Sequence, residues 1–144
     1  MKNIFIDSNV WLRLFLADQK DHFHQAVGLI ESCQSGLLRP YTSSIVFLEV
    51  HYVLRSFYKL NQIKTRTYLE QMRSTRDITV IETTDIDLSL SYYRKYSVKF
   101  SDCLIASQLR KDIILATFDR EMGEIKEITT NTPGDVLSSL KKLN

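Results

Sequence analysis

Four acidic residues occupy positions where an ionised side chain is difficult to explain, because each interrupts or ends an apolar run. They are Asp7 after NIFI, Glu49 within SSIVFLEVHYVLRSF, Asp102 at the start of SDCLIASQL, and Asp119 at the end of DIILATFD. Burying one ionised carboxylate costs several kcal/mol unless a partner compensates for its charge. A divalent cation compensates several carboxylates at once, and hard oxygen ligands favour Mg²⁺ or Mn²⁺ over zinc. The four acids therefore predict a divalent metal site.

Each acid by itself also has a structural explanation that needs no metal. Asp7 could cap the helix that follows it, and Asp102 could favour a helix amino terminus. Glu49 could pair with an arginine, and Asp119 could be a turn residue. The metal hypothesis therefore depends on all four acids together.

The charge balance gives a second indication about the ligand. The 144 residues include 19 basic and 17 acidic ones, for a net charge of +2. Without the four acids, 13 acidic residues remain against 19 basic ones, which leaves +6 on the rest of the chain. A negative pocket on a positive body favours a phosphate-rich ligand, although an ordinary solvated surface explains the same counts.

The elements that must position these acids alternate between strand and helix patterns. Such alternation predicts an α/β fold with a central parallel sheet of four to five strands flanked by helices. Predicted strands cover 4–7, 37–41, 78–81, 113–117 and, as a fifth, 125–130. Predicted helices cover 10–16, 18–34, 44–58, about 63–72, 85–96, 101–111 and the segment after Pro133. Parallel sheets form their sites at the carboxyl ends of strands, where Asp7 and Asp119 lie.

The helical acids share their faces with apolar residues. Glu49 is in helical register with Ile45, Val46 and Val53, and Asp102 with Ile105, Ala106 and Leu109, so both acids are expected to face inward. Ser43 or Ser44 is the predicted cap of the helix that carries Glu49, and Ser101 of the helix that carries Asp102. In the helix over 85–96, the residues predicted to face the core are Ile86, Leu90 and Tyr93.

Other kinds of chemistry have little support. The chain contains no G-x-G-x-x-G, P-loop or G-x-S-x-G motif. His22 and His24 lie on different helix faces and are expected to be solvated. Cys33 and Cys103 fall in helical apolar patterns and are expected to be core thiols of a cytoplasmic protein. No membrane span or signal peptide is expected, and the length fits one domain over 1–144.

The segments around the four acids resemble the signature regions of the PIN-domain ribonucleases. These segments are FIDSNV (5–10), the isolated Glu49, SDCLIA (101–106) and ATFDR (116–120), in the family's order and over nearly the whole chain. The size is most similar to that of the VapC-type toxins of bacterial and archaeal toxin–antitoxin pairs. The resemblance implies a three-layer, Rossmann-like fold and Mg²⁺- or Mn²⁺-dependent cleavage of RNA to products with 5′-phosphate and 3′-hydroxyl ends.

The resemblance also implies a role for each site residue. Metal ligation is expected from Asp7, Asp102 and Asp119, and Glu49 is expected to complete the catalytic acidic pocket. Two neighbours, Asn9 and Thr117, are expected to support the acids.

Three partners are implied: an RNA substrate, a small antitoxin that covers the site, and a second copy of the chain in a homodimer. The predicted antitoxin contact is an exposed apolar group beside Asp7, formed by Trp11, Phe15 and Leu16. The alternative is that Trp11 and Phe15 belong to the core.

Two other function classes remain open. A phosphoacceptor signalling domain would need an acidic pair after the first strand, where this chain has Asp7-Ser8-Asn9, and an acceptor aspartate after the third, where it has Glu82. A non-catalytic RNA- or protein-binding module would explain a basic surface but not acids that face inward.

Overall fold

Five parallel strands form the central sheet of the computed structural model, which describes residues 1–142. The strands are β1 (Lys2–Ile6), β2 (Leu38–Ser43), β3 (Thr79–Ile81), β4 (Ile113–Ala116) and β5 (Thr129–Asn131). Their spatial order is β3-β2-β1-β4-β5, and each neighbouring pair is parallel. The prediction of a parallel sheet with four to five strands is confirmed.

Seven α-helices connect and flank the strands within residues 1–142. They are α1 (Ser8–Leu16), α2 (Lys20–Gln34), α3 (Ser44–Tyr52), α4 (Gln62–Arg73), α5 (Ile86–Lys95), α6 (Phe100–Ser107) and α7 (Pro133–Lys142). A π-helical turn, Val53–Phe57, continues α3, and a 3-10 turn, Arg120–Glu124, follows β4. One helix group consists of α1, α2 and α7, and α5 packs on α6. The predicted three-layer α/β arrangement is confirmed.

Side chains at the strand ends start two of the helices. The Ser43 hydroxyl accepts a hydrogen bond from the Val46 backbone N–H over 3.4 Å, so Ser43 is the cap of α3. The Asp85 carboxylate accepts one from the Leu88 N–H over 3.0 Å at the start of α5. Each cap satisfies a backbone donor that the first helical turn leaves unpaired.

The predicted cap and end of α6 are wrong. The helix begins after Lys99, because the Ser101 hydroxyl faces the Glu49 carboxylate at 3.5 Å instead of capping the helix. It ends at Ser107 rather than near Lys111. A contact between two helices thus replaces the local capping contact that the sequence suggested.

The fifth strand is shorter than predicted. It begins at Thr129, whereas Ile125 closes the 3-10 turn and is buried against Tyr92 and Val98. An apolar residue can be buried from a turn as well as from a strand, so the apolar run extended the predicted strand too far toward the amino terminus.

The inward face of α5 is also different from the prediction. Ile86, Leu90 and Tyr93 are 50%, 45% and 54% exposed, whereas Ser89 and Tyr92 are buried. The aromatic ring of Tyr92 belongs to the small core cluster under α5 and α6, and its packing sets the rotation of the helix.

Both cysteines are buried free thiols, as predicted. Within residues 1–142, every helix is too short or too polar to cross a bilayer.

The sheet register brings two acidic strand ends together. Ile6, the last residue of β1, is paired with Ala116, the last residue of β4. The Asp7 backbone N–H then donates to the Ala116 carbonyl over 3.1 Å. The residues that follow both strands, Asp7 and Thr117, therefore meet at the carboxyl edge of the sheet.

Candidate active site

The four acids line one cavity of about 410 Å³ at the carboxyl edge of the sheet. Asp7 follows β1, and Asp119 lies three residues after the end of β4. Glu49 comes from α3 and Asp102 from the first turn of α6, two helices that contact each other. The structure thus brings together residues that are far apart in the sequence.

Asp7 is the most firmly held of the four. Its Oδ1 accepts a hydrogen bond from the Ser8 backbone N–H over 2.8 Å, so Asp7 caps α1 as the structural explanation supposed. Its Oδ2 accepts from Thr117 Oγ1 over 2.9 Å and from Asn9 Nδ2 over 3.3 Å. Burial raises the pKa of this carboxyl above its usual range, although the hydrogen bonds from Ser8 and Thr117 oppose the rise.

A short polar network joins this acid to the turn that carries Asp119. Asn9 Nδ2 donates to Thr117 Oγ1 over 2.9 Å, and Asn9 Oδ1 accepts from the Phe118 backbone N–H over 2.9 Å. Thr117 Oγ1 also accepts from the Asp119 N–H over 3.0 Å. Asn9 and Thr117 therefore set the position of both acids that follow strands.

Asp119 has a structural role of its own. Its Oδ1 accepts a hydrogen bond from the Glu121 backbone N–H over 2.9 Å and so caps the 3-10 turn. Its charge raises the pKa of the carboxyl groups of Asp7 and Asp102. The turn explanation for Asp119 is correct for one oxygen, and it leaves the charge facing the other acids.

Glu49 is half-buried and has no arginine partner among residues 1–142. Its Oε1 is buried without a hydrogen-bond partner, and its Oε2 has only the long contact to Ser101. Burial, followed by the charges of Asp7 and Asp102, raises the pKa of Glu49 to about 7. This value lies near neutral pH, where a carboxyl group can both accept and donate a proton.

Asp102 is 4% exposed, and its Oδ2 also lacks a hydrogen-bond partner. Burial and the neighbouring charge of Asp7 raise the pKa of this carboxyl to about 6. A helix amino terminus would lower the pKa of a carboxyl group. Because the pKa is raised, burial and like charge outweigh the helix dipole, and a preference for the helix end does not account for the acid.

The donor set fits a hard divalent cation in its chemistry. Two carboxylate oxygens, on Glu49 and Asp102, are buried without partners, and all four acids offer the oxygen ligands that Mg²⁺ and Mn²⁺ prefer. Within residues 1–142, no three Asp, Glu, His or Cys side chains stand close enough to surround an ion as they are. Repulsion between carboxylates that lack a cation accounts for that spacing.

Three further side chains line the acid cavity, and the sequence did not indicate them. His22, predicted to be solvated, is half-buried and stacks on Phe118 with 3.9 Å between ring centroids. Lys99, at the start of α6, lowers the pKa of Glu49 and Asp102 through its charge. The third, Arg13, is paired with an aspartate outside the cavity. No local motif links these residues to the acids, because each is placed by helix packing.

An apolar groove of about 290 Å³ adjoins the acid cavity. Of the three residues predicted to be exposed beside Asp7, only Leu16 lines it. Trp11 is 1% exposed in the main core, and Phe15 stacks on Tyr68 with 4.5 Å between ring centroids. The alternative prediction, that the aromatic rings of α1 are core, is correct for Trp11. The groove residues are Asn9, Leu12, Arg13, Leu16, Tyr52, Val53, Phe57 and Tyr58.

The sequence model of the PIN domain family matches residues 4–128 of this chain. No curated protein matches it.

Several solved structures have the same fold. VapBC2 of Rickettsia felis, bound to a DNA fragment from its promoter, matches at 16% identity with a TM-score of 0.63, covering 90% of this chain and 97% of that chain. VapC20 of Mycobacterium tuberculosis, a toxin that cleaves the sarcin–ricin loop, matches at 20% identity with a TM-score of 0.61, covering 85% and 94%. PAE2754 of Pyrobaculum aerophilum matches at 15% identity with a TM-score of 0.66, covering 98% and 90%.

Proposed function

Because this chain belongs to the PIN domain family, we propose that it is a single-domain, Mg²⁺- or Mn²⁺-dependent endoribonuclease. We further propose that it is the toxin of a VapBC-type toxin–antitoxin pair, as the VapC and VapBC proteins of similar fold suggest. One observation carries the nuclease proposal: four acids share a cavity in which two buried carboxylate oxygens have no partner.

In this proposal the acids divide into ligands and a proton carrier. Asp7, Asp102 and Asp119, completed by Glu49, would hold the ion, which supplies Lewis-acid chemistry at the phosphodiester when bound. The Glu49 carboxyl, with a pKa of about 7, is suited to take a proton from the attacking water at its unpartnered Oε1. Lys99 adds a positive charge at the cavity wall, where it attracts the phosphate of the substrate.

The two other function classes fit the geometry less well. A phosphoacceptor after β3 would have to be Glu82, but this residue lines a different cavity, together with Ser44 and Arg73. A non-catalytic binding module would have no use for buried like charges such as Asp7 and Asp102, because their ionisation destabilises the fold.

The proposed reaction is tested by incubating the purified chain with single-stranded RNA. We expect cleavage in Mg²⁺ or Mn²⁺ and none in EDTA, because uncompensated carboxylates repel the phosphate. End mapping should give 5′-phosphate and 3′-hydroxyl products. Labelling by acetyl phosphate without RNA cleavage would contradict the nuclease proposal and favour a phosphoacceptor.

The apolar groove is the proposed contact for an antitoxin segment. It shares Leu12, Arg13 and Val53 with the acid cavity, so a helix lying in it would reach the acids with its end. Its outer wall includes Phe57, which is 74% exposed on the π-helical turn. An amphipathic segment with a basic residue at that end would cover the apolar surface and compensate for the acids.

We expect Phe57→Asp to weaken binding of the antitoxin encoded by the neighbouring gene at least about tenfold, since a buried interface aromatic contributes 1.4 kcal/mol or more. The measurement is calorimetric titration of the purified pair. Leu37→Asp is the matched control, because Leu37 is 54% exposed and precedes β2 at the opposite edge of the sheet. Equal effects of the two substitutions would contradict this use of the groove.

The predicted homodimer stays a prediction. A cytoplasmic location also stays a prediction, and the two buried free thiols are in keeping with it.

A further inference from the structure

A second cavity, of about 440 Å³, adjoins the acid cavity on the β5 side. The two cavities share His22, Phe118 and Asp119, so they form one continuous depression across the carboxyl edge of the sheet. The volume lies in the range of small-molecule binding sites. The remaining lining residues are Thr117, Arg120, Thr130, Asn131, Thr132 and Asp135.

A flat ring pair stands where the cavities meet. The rings of His22 and Phe118 are nearly parallel, at an angle of 11° and a centroid separation of 3.9 Å. Both backbones are anchored: the His22 N–H donates to Gln19 Oε1 over 2.7 Å, and the Phe118 N–H donates to Asn9 Oδ1 over 2.9 Å. The pair is therefore a preformed aromatic surface beside the acids.

The polar groups around this surface discriminate between parts of a nucleotide. Asp119 and Asp135 line the cavity and repel a phosphate from its interior. Thr130 and Asn131, at the end of β5, offer a hydroxyl and an amide that can bond to the edge of a base. Arg120 is exposed and has no ion-pair partner among the described residues, so its guanidinium is available to a backbone phosphate at the rim.

We propose that this second cavity binds the base of the nucleotide next to the scissile phosphate in single-stranded RNA. The base stacks on the His22–Phe118 pair, and Arg120 holds a flanking phosphate. The inference rests on the proposed ribonuclease function, because that function places the scissile phosphate in the adjoining acid cavity. It adds a base-binding site that the four acids do not provide.

His22→Ala is the principal test, with His24→Ala as its matched control. His24 lies on the same helix but is exposed and does not line either cavity. The measurement is fluorescence anisotropy with a short labelled single-stranded RNA, at low salt in EDTA, so that neither metal nor cleavage contributes. We expect His22→Ala to weaken binding by about 5- to 150-fold, the range that corresponds to stacking of one base. His24→Ala should bind as the wild type does.

Two further variants separate stacking from other effects. His22→Phe keeps a flat ring and should bind within about threefold of the wild type, because base stacking tolerates a change of ring. Arg120→Ala should weaken binding and reduce the slope of log K against log salt by about 0.7, the value for one phosphate contact to a single strand. Arg94→Ala, an exposed arginine on α5, should change neither quantity.

Several outcomes overturn the proposal. Wild-type affinity in His22→Ala does so, as does equal weakening in His22→Ala and His22→Phe, or no RNA binding by the wild-type protein. If His22→Ala binds normally while the wild type cleaves RNA, the base site fails and the ribonuclease function stands. If binding depends on His22 but Mg²⁺ never produces cleavage, the ribonuclease function fails and the base site stands.

Discussion

Asp102→Asn is expected to reduce RNA cleavage by about 1,000-fold and to leave the metal-free protein more stable at pH 8. The activity falls because the cavity loses one of its proposed ligands, and removal of one preorganised electrostatic group typically costs 10²- to 10³-fold. The stability rises because Asp102 is 4% exposed and one of its oxygens has no partner, so its ionisation is unfavourable in the folded protein. Cleavage assays in Mg²⁺ and urea unfolding in EDTA measure the two effects.

The sign of the stability effect depends on pH. The Asp102 carboxyl has a pKa raised from 3.8 to about 6 in the folded protein, first by burial and then by the charge of Asp7. Below pH 3.8 the group is protonated in both states, and the free energy of unfolding carries no penalty from it. As the pH rises from there to about 6, only the unfolded state loses the proton, so the folded state loses stability. Above that range the full penalty applies, on the order of 3 kcal/mol at about 1.4 kcal/mol per tenfold change. Asp102→Asn should therefore stabilise at pH 8 and have little effect at pH 3.

Asp87→Asn is the matched control, because Asp87 is exposed in the first turn of α5, as Asp102 is buried in the first turn of α6. It should change neither cleavage nor the pH dependence of stability. A large loss of stability in Asp102→Asn would contradict the metal-site interpretation and would identify the acid as a structural residue.

Asp7→Asn should also abolish cleavage, but its effect on stability is expected to be smaller or opposite. Asp7 accepts three hydrogen bonds, from Ser8, Asn9 and Thr117, and an amide group would turn a donor toward some of them. The relief of a buried charge is therefore offset by lost hydrogen bonds at this position.

Metal addition is expected to have the second large effect, a rise in the melting temperature of roughly 5–10 °C. Saturation to about 100 times the dissociation constant contributes about 2.7 kcal/mol, and each kcal/mol corresponds to roughly 2–4 °C for a chain near this size. The rise should be smaller at pH 5 than at pH 8, because Glu49 and Asp102, with pKa values of about 7 and about 6, are largely protonated at the lower pH. Thermal melts with Mg²⁺, Mn²⁺ and EDTA at both pH values are the measurement.

Asp102→Asn is again informative in this experiment, because it should remove most of the metal-dependent rise, whereas Asp87→Asn should retain it. An equal rise at both pH values, or a rise that persists in Asp102→Asn, would show that the ion binds elsewhere on the protein.

Local patterns in the sequence determined the sheet and the edge at which the acids lie. Apolar strands that alternate with amphipathic helices can bury their faces only in a parallel α/β arrangement, and parallel strands end at a common edge. Acids that directly follow strands, such as Asp7 and Asp119, are therefore neighbours in any such fold. The helical register of Glu49 and Asp102 with apolar residues predicted their inward direction in the same way.

The tertiary structure alone decided which helix faces and which distant side chains complete the site. Ile86, Leu90 and Tyr93 satisfy a helical period, but the same period allows a neighbouring face to be inward, and packing of the Tyr92 ring selected that one. The solvated face predicted for His22 became a stacking contact because α2 places it against Phe118, nearly a hundred residues away. Such contacts depend on the rotation and approach of whole elements, which side chains from several segments determine together, so no local spacing encodes them.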